Sequence, residues 1–156
     1  MDEMTVQPPG SASTEHLAIT WAPAIDDDRL VRVRQDIVIH DHGTGEGPAL
    51  GAALDAQASV DRSDLPEGPP APTITVELRA FDDPSGVVVH GSWDDRPRPC
   101  RRAVLADWVL RMVTRLHLDS AAGGTHLHAA GATDAAGRAV VLMGSSGAGK
   151  STLVSH

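Results

Sequence analysis

The sequence has 156 residues, of which 41% are hydrophobic and 22% are charged, as is typical of a folded globular protein. Its net charge of −8 argues against a nucleic-acid or anionic-membrane surface, because both need a basic footprint. A single cysteine, Cys100, excludes an internal disulfide. The acidic N-terminus lacks the apolar segment of a signal peptide, and no apolar run could span a bilayer, so we expect a cytoplasmic protein.

The sequence pattern of the first part of the chain predicts a tail followed by strands. Residues 1–15 are polar and contain prolines, a glycine and several serines and threonines, which predicts a disordered tail. Residues 17–21 predict a short strand, and residues 29–41 alternate apolar and polar side chains like a half-buried strand. The sequence DHGTGEGP at 41–48 predicts a loop. The Ala-rich residues 49–60 are ambiguous, with a short helix as one option.

The middle of the chain predicts a hairpin and a helix. Residues 64–72 contain four prolines and predict a turn or linker. Residues 73–81 alternate apolar and polar residues, and residues 86–93 follow the turn sequence DDPSG as a second strand, which together predict an antiparallel hairpin. Apolar residues then recur at three- and four-residue steps, which predicts an amphipathic helix over 103–118.

The last segment contains a phosphate-binding motif. Residues 125–133 and 138–143 predict two short strands joined by the tight turn DAAG. Directly after them, the sequence GSSGAGKS at 144–151 fits the pattern G-x-x-x-x-G-K-[ST] at every fixed position. A strand before this loop and the start of a helix after it are the context that the motif requires. The alternative is a glycine turn with a purely structural role.

The residue types in this loop suit a nucleotide phosphate. The glycines let the backbone approach the phosphates, and successive N–H groups and the helix N-terminus attract the anion. Lys150 would reach the β- and γ-phosphates, and the Ser151 hydroxyl would coordinate Mg²⁺. The predicted binding residues are Gly144, Ser145, Ser146, Gly147, Ala148, Gly149, Lys150, Ser151 and Thr152. The loop alone does not distinguish a kinase from an ATPase or a GTPase.

The segment LHAAGATDAAGRAVVLMGSSGAGKSTL, at 127–153, resembles the nucleotide-binding core of the HPr kinase/phosphorylase family and of HPr kinase-like ATP-binding proteins. In that family a strand with a His-Ala-Ala element precedes a second strand and the P-loop. The resemblance implies that His128 matches an active-site histidine near the phosphates and that Lys150 is the phosphate lysine. It implies ATP or GTP with Mg²⁺ as the cofactor, and phosphoryl transfer to a protein or peptide serine.

One part of the family's pattern has no counterpart in this sequence. The family's catalytic aspartate follows the P-loop helix, whereas no Asp or Glu follows Lys150 here. We therefore expect the chain to be truncated just after the loop, and we do not predict turnover by it alone. The alternatives are a non-catalytic nucleotide-binding or regulatory module, or a fragment of a general P-loop ATPase.

These observations together predict an α/β protein. Residues 1–15 are a disordered tail, and 16–98 form a strand-rich N-terminal region. Residues 99–156 form a connecting helix and an incomplete HPr kinase-like P-loop core. The expected partners are a nucleotide and a protein or peptide phospho-acceptor, with self-association as a further option and neither nucleic acid nor membrane among them.

Several other residues allow less specific interpretations. His126 and His128 form an H-x-H pair on a predicted strand, so a metal pair is one option, but no third ligand lies nearby in sequence. A structural role is the other option for His128, and the favoured one for His126. His40 and His42 form a second pair at a strand end, where solvated side chains are favoured. Cys100 has no His or Cys partner in the sequence, so we predict no redox role for it.

Overall fold

The computed structural model describes residues 10–26, 29–58, 63–120 and 129–144. In chain order, the elements are β1 (Ser13–Asp26), β2 (Arg29–Asp41), α1 (Gly47–Ala58), β3 (Ala71–Ala80), β4 (Gly86–Gly91), β5 (Arg98–Arg101), a 3₁₀ turn (Arg102–Val104), α2 (Leu105–Ser120), β6 (Ala129–Thr133) and β7 (Ala139–Met143). The described residues up to Ser120 form one compact unit, and those from 129 to 144 belong to a second. The predicted α/β class with a strand-rich N-terminal region is confirmed.

The first unit is built on a mixed sheet with the strand order β1–β2–β3–β4–β5. β1 and β2 are antiparallel, and their register shifts between Trp21 and Ala24, next to a proline that lacks an amide hydrogen. β1 begins at Ser13, so the end of the segment predicted as a tail belongs to a strand. β1 is therefore much longer than the strand predicted at 17–21, whereas β2 has the predicted bounds.

β2 and β3 pair in parallel, which requires a crossover between them. Helix α1 provides that crossover, so the ambiguous Ala-rich segment is largely helical and completes a β–α–β unit. Pro48 follows the first residue of α1, a position where proline is favoured because its missing N–H would have no intrahelical partner.

The other half of the sheet is antiparallel. β3 and β4 form the predicted hairpin, with Leu78 opposite Val89. β5 is a strand that the sequence analysis did not predict, because RPCR shows no clear alternation. It occupies an edge of the sheet, where Pro99 is tolerated because a proline cannot donate a ladder hydrogen bond.

Both helices pack on the same face of the sheet. The core contains Ile19, Ile37, Ile39, Ile74, Val76, Leu78, Val87 and Val89 from the strands, Leu50 and Leu54 from α1, and Leu105, Val109 and Val113 from α2. Each such side chain contributes roughly 1.5–3 kcal/mol when fully buried. The predicted amphipathic helix is thus confirmed, and it belongs to the core of the first unit.

The opposite surface of the sheet, called here the open face, is covered by neither α1 nor α2. Its residues alternate along each strand with the buried ones. They are Thr14, His16, Ala18 and Thr20 on β1, Arg32, Arg34, Asp36, Val38 and His40 on β2, Thr73, Thr75, Glu77 and Arg79 on β3, Val88 and His90 on β4, and Pro99 and Arg101 on β5.

Candidate functional site

The structure describes only the beginning of the predicted phosphate loop. Gly144 follows the last residue of β7 directly. The remaining predicted binding residues, 145–152, lie outside the described residues. These include Lys150, the predicted phosphate lysine, and Ser151, the predicted Mg²⁺ ligand. His126 and His128 also lie outside them.

The described part of the second unit is the hairpin that leads into the loop. Strands β6 and β7 are antiparallel, from Ala129 opposite Met143 to Thr133 opposite Ala139. They correspond to the two strands predicted on either side of the DAAG turn. Ala129 follows His128 in the sequence, and Met143 precedes Gly144. The register therefore pairs the residue that follows His128 with the residue that precedes the predicted phosphate loop.

The turn between β6 and β7 is held by the carboxylate of Asp134. Its oxygens accept hydrogen bonds from the backbone N of Ala136 at 3.0 Å and from the backbone N and Nε of Arg138 at 2.9 and 2.6 Å. Gly137 adopts a positive φ of 77°, which favours glycine. Hydrogen bonds from the Arg138 backbone and side chain lower the pKa of Asp134, so this carboxylate is a structural part of the turn.

The hairpin exposes apolar side chains on both surfaces. Val140, Val141 and Met143 are 58%, 57% and 66% exposed, and successive residues of a strand point to opposite faces. A two-stranded hairpin of this kind is only marginally stable by itself in water. The described residues of the second unit thus form the strand that leads into the loop, but not the walls of a complete nucleotide pocket.

A second glycine-rich junction joins β2 to α1, in the segment predicted as a loop. Gly43 and Gly45 have positive φ values of 90° and 77°, which let the chain turn from the end of β2 into the helix. A glycine-rich turn between a strand and a helix is also the usual frame of an anion site at a helix N-terminus. This junction therefore has the backbone form of an anion site, and the group that occupies it decides whether it can bind a ligand.

The carboxylate of Asp41 occupies this position itself. Asp41 is 2% exposed, and its Oδ2 accepts a hydrogen bond from the Gly47 N–H at 2.9 Å. Its Oδ1 accepts hydrogen bonds from the Thr44 N–H at 2.6 Å and from the Thr44 hydroxyl at 2.8 Å. A Cβ added at Gly47 would lie 2.9 Å from the Asp41 Cβ. The junction is thus filled by the chain's own anion.

Hydrogen bonding keeps this buried carboxylate charged. Burial by itself would raise the pKa of Asp41, but hydrogen bonds from Gly47, Thr44 and Gly45 outweigh it and lower the pKa below its ordinary value. The N-terminus of α1 favours the anion as well. Asp41 therefore acts as an internal cap that orders the loop and the start of α1.

Arg102 fixes the outer side of the same loop. Its Nη1 donates to the Thr44 carbonyl at 3.1 Å and to the Glu46 carboxylate at 2.5 Å. Its Nε donates to the Pro84 carbonyl at 2.9 Å, so one guanidinium joins two loops at the same end of the sheet. The sequence pattern places Arg102 on the solvated face of the predicted helix and indicates no role for Asp41, whereas the structure shows Arg102 bonded to two loops. The strand-end aspartate and Pro48 are the local signals that could have indicated a capped helix.

A groove of about 400 Å³ lies between α2 and the segment that joins β4 to β5. Trp93 and Trp108 meet edge to face there, with ring centroids 5.8 Å apart, and Met112 and Leu116 extend the apolar wall. Each arginine of the rim is already paired with an aspartate, Arg98 with Asp94 and Arg115 with Asp119. The balanced charges favour neither an anionic nor a cationic ligand.

The described residues contain no metal centre. No group of three or more His, Cys, Asp or Glu among them has a geometry that could hold a metal ion. His42 Nε2 lies 3.9 Å from Glu77 Oε2, and His40 Nδ1 lies 3.2 Å from the Thr14 hydroxyl. Burial raises the pKa of the Cys100 thiol, which makes it less reactive. Neither described helix has the length and apolar character needed to cross a membrane.

Comparisons of this chain with protein-family models, with curated proteins and with solved structures find no match. The geometry and the chemistry of its own residues therefore carry the functional assignment.

Proposed function

We propose that this chain binds Mg-ATP or Mg-GTP through residues 144–151, in a core similar to that of HPr kinase-like proteins. The observation that carries the proposal is the position of the motif at the end of a strand. β7 ends at Met143, and the pattern G-x-x-x-x-G-K-S begins at the next residue. A purely structural glycine turn would not need a lysine and a hydroxyl at the last two positions of the pattern.

The choice between lysine and arginine along the chain also supports the binding proposal. The sequence contains twelve arginines but a single lysine, Lys150, at the lysine position of the motif. Lysine is the residue that P-loops use as a point charge on the β- and γ-phosphates. In a chain that otherwise uses arginine for positive charge, this placement favours a functional loop.

Each residue of the loop has a role in the proposal. The backbone N–H groups of residues 144–149 would bind the phosphates, with Lys150 on the β- and γ-phosphate oxygens and the Ser151 hydroxyl as a Mg²⁺ ligand. Thr152 belongs to the same predicted binding segment. Bound Mg²⁺ would neutralise phosphate charge.

A kinase activity is the further step of the proposal. By the resemblance, His128 would lie near the phosphates, and a serine of a protein or peptide would accept the phosphoryl group. The β6–β7 register supports a common site, because it pairs Ala129 and Met143, the neighbours of His128 and Gly144. Asp134 is the only carboxylate among the described residues of the second unit, and it is committed to the turn. Binding without turnover, as in a regulatory module or part of a general P-loop ATPase, is therefore the second candidate.

Thermal unfolding tests nucleotide binding. A ligand at 100 times its Kd stabilises the folded state by about 2.7 kcal/mol. All three tryptophans of the sequence lie in the first unit, so their fluorescence would not report the second. Calorimetry is the better method. We expect Mg-ATP to raise the Tm, Lys150→Ala to abolish the shift and Arg111→Ala, which removes an exposed charge on α2, to preserve it.

The single lysine permits a sharper test. A lysine-reactive acyl phosphate of ATP should label Lys150, and excess ATP or GTP should protect it, with the better protector identifying the preferred base. Labelling that nucleotide does not reduce, together with an unchanged Tm, would refute the binding proposal.

Labelled nucleotide separates the candidate activities. With γ-labelled ATP, transfer to an added serine-containing protein or peptide supports the kinase. Release of free phosphate alone supports an ATPase. Binding with neither product supports a module without turnover.

A further inference from the structure

The permanent charges of the open face cancel in pairs. The pairs are Arg32 with Glu67, Arg34 with Asp36, and Arg79 with Glu77, at N–O distances of 3.8, 3.0 and 2.7 Å. On the edge strand β5, Arg101 faces Asp83, whose pKa is lowered first by hydrogen bonds from Ser85 and also by the positive charge of Arg101. These groups leave the surface close to neutral, although the chain as a whole carries −8.

Histidines are concentrated on this same surface. Five histidines lie among the described residues, and three of them, His16, His40 and His90, belong to the open face. His42 lies at its end, beside Glu77. The fifth, His117, belongs to α2 and stacks on Trp21, with the ring centroids 4.3 Å apart. Because the permanent charges here are paired, whether these four imidazoles are neutral or protonated decides the sign of the surface.

The sheet register brings these groups side by side. Thr14 lies opposite His40, His40 opposite Glu77, and Glu77 opposite His90, so one row crosses four strands. Asp94 and Asp95 line the hollow next to His90, and Asp94 is paired with Arg98. Asp95 therefore adds one negative charge at the rim, against four histidines that can become positive.

We propose that the open face is a docking surface for an acidic protein segment, which binds when the histidines are protonated. His40 and His90 lie two strands apart, which corresponds to roughly 10 Å. Three residues of a peptide in the polyproline II conformation span about 9 Å, and because this conformation has three residues per turn, their side chains lie on the same face. Two carboxylates three positions apart would therefore match this pair of histidines.

The chemistry of the surface favours a protein segment over a nucleic acid. The strand positions of the open face carry Thr, Val, Ala, Pro, His and charged residues, and none carries a Trp, Tyr or Phe on which bases could stack. The net charge of −8 also repels a long polyanion at a distance, whereas a short acidic segment meets mainly the local surface.

Fluorescence anisotropy with a labelled peptide tests the proposal on the full chain. The peptide carries aspartates three residues apart, because aspartate keeps its charge at about pH 5.8. We expect binding to be about tenfold tighter at about pH 5.8 than at about pH 7.5, since each exposed ion pair adds only a few-fold. Added salt should weaken it.

Matched variants identify the surface. His40→Gln combined with His90→Gln should remove most of the tenfold gain in affinity at the lower pH, because only His16 and His42 of the four histidines then remain. Arg111→Gln, which removes a positive charge from α2 on the other side of the sheet, should leave the tenfold difference intact. His90→Arg supplies a permanent charge and should strengthen binding at the higher pH. This gain keeps the test decisive even if the double variant does not fold.

Three results would overturn the proposal. One is binding that does not change with pH. Another is equal loss in the histidine variants and in Arg111→Gln, which would indicate a general charge effect. The third is a single-stranded oligonucleotide of equal charge that binds as tightly as the acidic peptide and depends on the histidines to the same degree. That result would indicate a nucleic acid as the partner.

Discussion

Replacing the buried carboxylate of Asp41 by an amide tests the internal cap of α1. In Asp41→Asn the side-chain oxygen can still accept from the Thr44 N–H, but an NH₂ group replaces the oxygen that faces the Gly47 N–H at 2.9 Å. Two donors then face each other in a site that is 2% exposed. An unsatisfied buried donor costs about 1–3 kcal/mol, and loss of a capping interaction costs about 0.5–2 kcal/mol. We expect a total loss of about 2–4 kcal/mol.

The loss should depend on pH with a defined sign. The pKa of Asp41 is lowered in the folded state, so its contribution is present above the unfolded value of about 3.9 and disappears as the pH falls through the folded value. The stability difference between the wild type and Asp41→Asn should therefore be full at pH 7 and should shrink below about pH 4.

Urea unfolding followed by tryptophan fluorescence measures this difference, because Trp21, Trp93 and Trp108 all belong to the first unit. Asp36→Asn is the matched control, because its half-exposed carboxylate on the same strand should contribute less than about 0.5 kcal/mol. A loss below about 0.5 kcal/mol in Asp41→Asn, or one that stays constant from pH 7 to pH 3, would show that Asp41 is not the charged cap of α1.

Two further stability predictions follow from close contacts. A Cβ added in Gly91→Ala would lie 2.3–2.5 Å from Trp93 ring atoms, so we expect a loss of about 1–3 kcal/mol in urea unfolding. Gly51→Ala is its control: the added Cβ lies in ordinary contact at 3.7 Å, and the higher helix propensity of alanine should add up to about 1 kcal/mol. Equal effects of the two substitutions would contradict the steric reasoning. Trp21→Phe removes the indole N–H that donates to Gln35 Oε1 at 2.7 Å. We expect this change to lower the free energy of unfolding by about 1–3 kcal/mol, measured by thermal or urea unfolding. No measurable loss would contradict the role of this hydrogen bond.

Local patterns predicted the elements whose signal is contained in their own residues. β2 has its predicted bounds because alternation is a property of one strand, and α2 is found because its apolar stripe has a helical period. α1 remained ambiguous because its alanines and glycines define no clear apolar stripe. β5 was missed because a short edge strand with a proline depends on its neighbour β4 for its structure.

Among the site residues, too, some roles can be predicted from the local sequence and others only from the folded chain. The phosphate-binding motif is local, because its chemistry resides in eight consecutive residues that can be read without a fold. The role of Asp41 is not local. Its loop is held by Arg102, which bonds to the Thr44 carbonyl across 58 residues of sequence, and only the folded chain shows that the glycine-rich junction is already filled.

The sequence alone determined the α/β class, the main strands, the amphipathic helix and a nucleotide-binding motif that remains a prediction for residues 145–151. Only the tertiary structure decided which residues become neighbours. His40, Glu77 and His90 are far apart in sequence and come into one row because β2 and β3 pair in parallel while β3 and β4 pair antiparallel. Alternation specifies which face a residue occupies, but strand order and register decide which charges meet on that face.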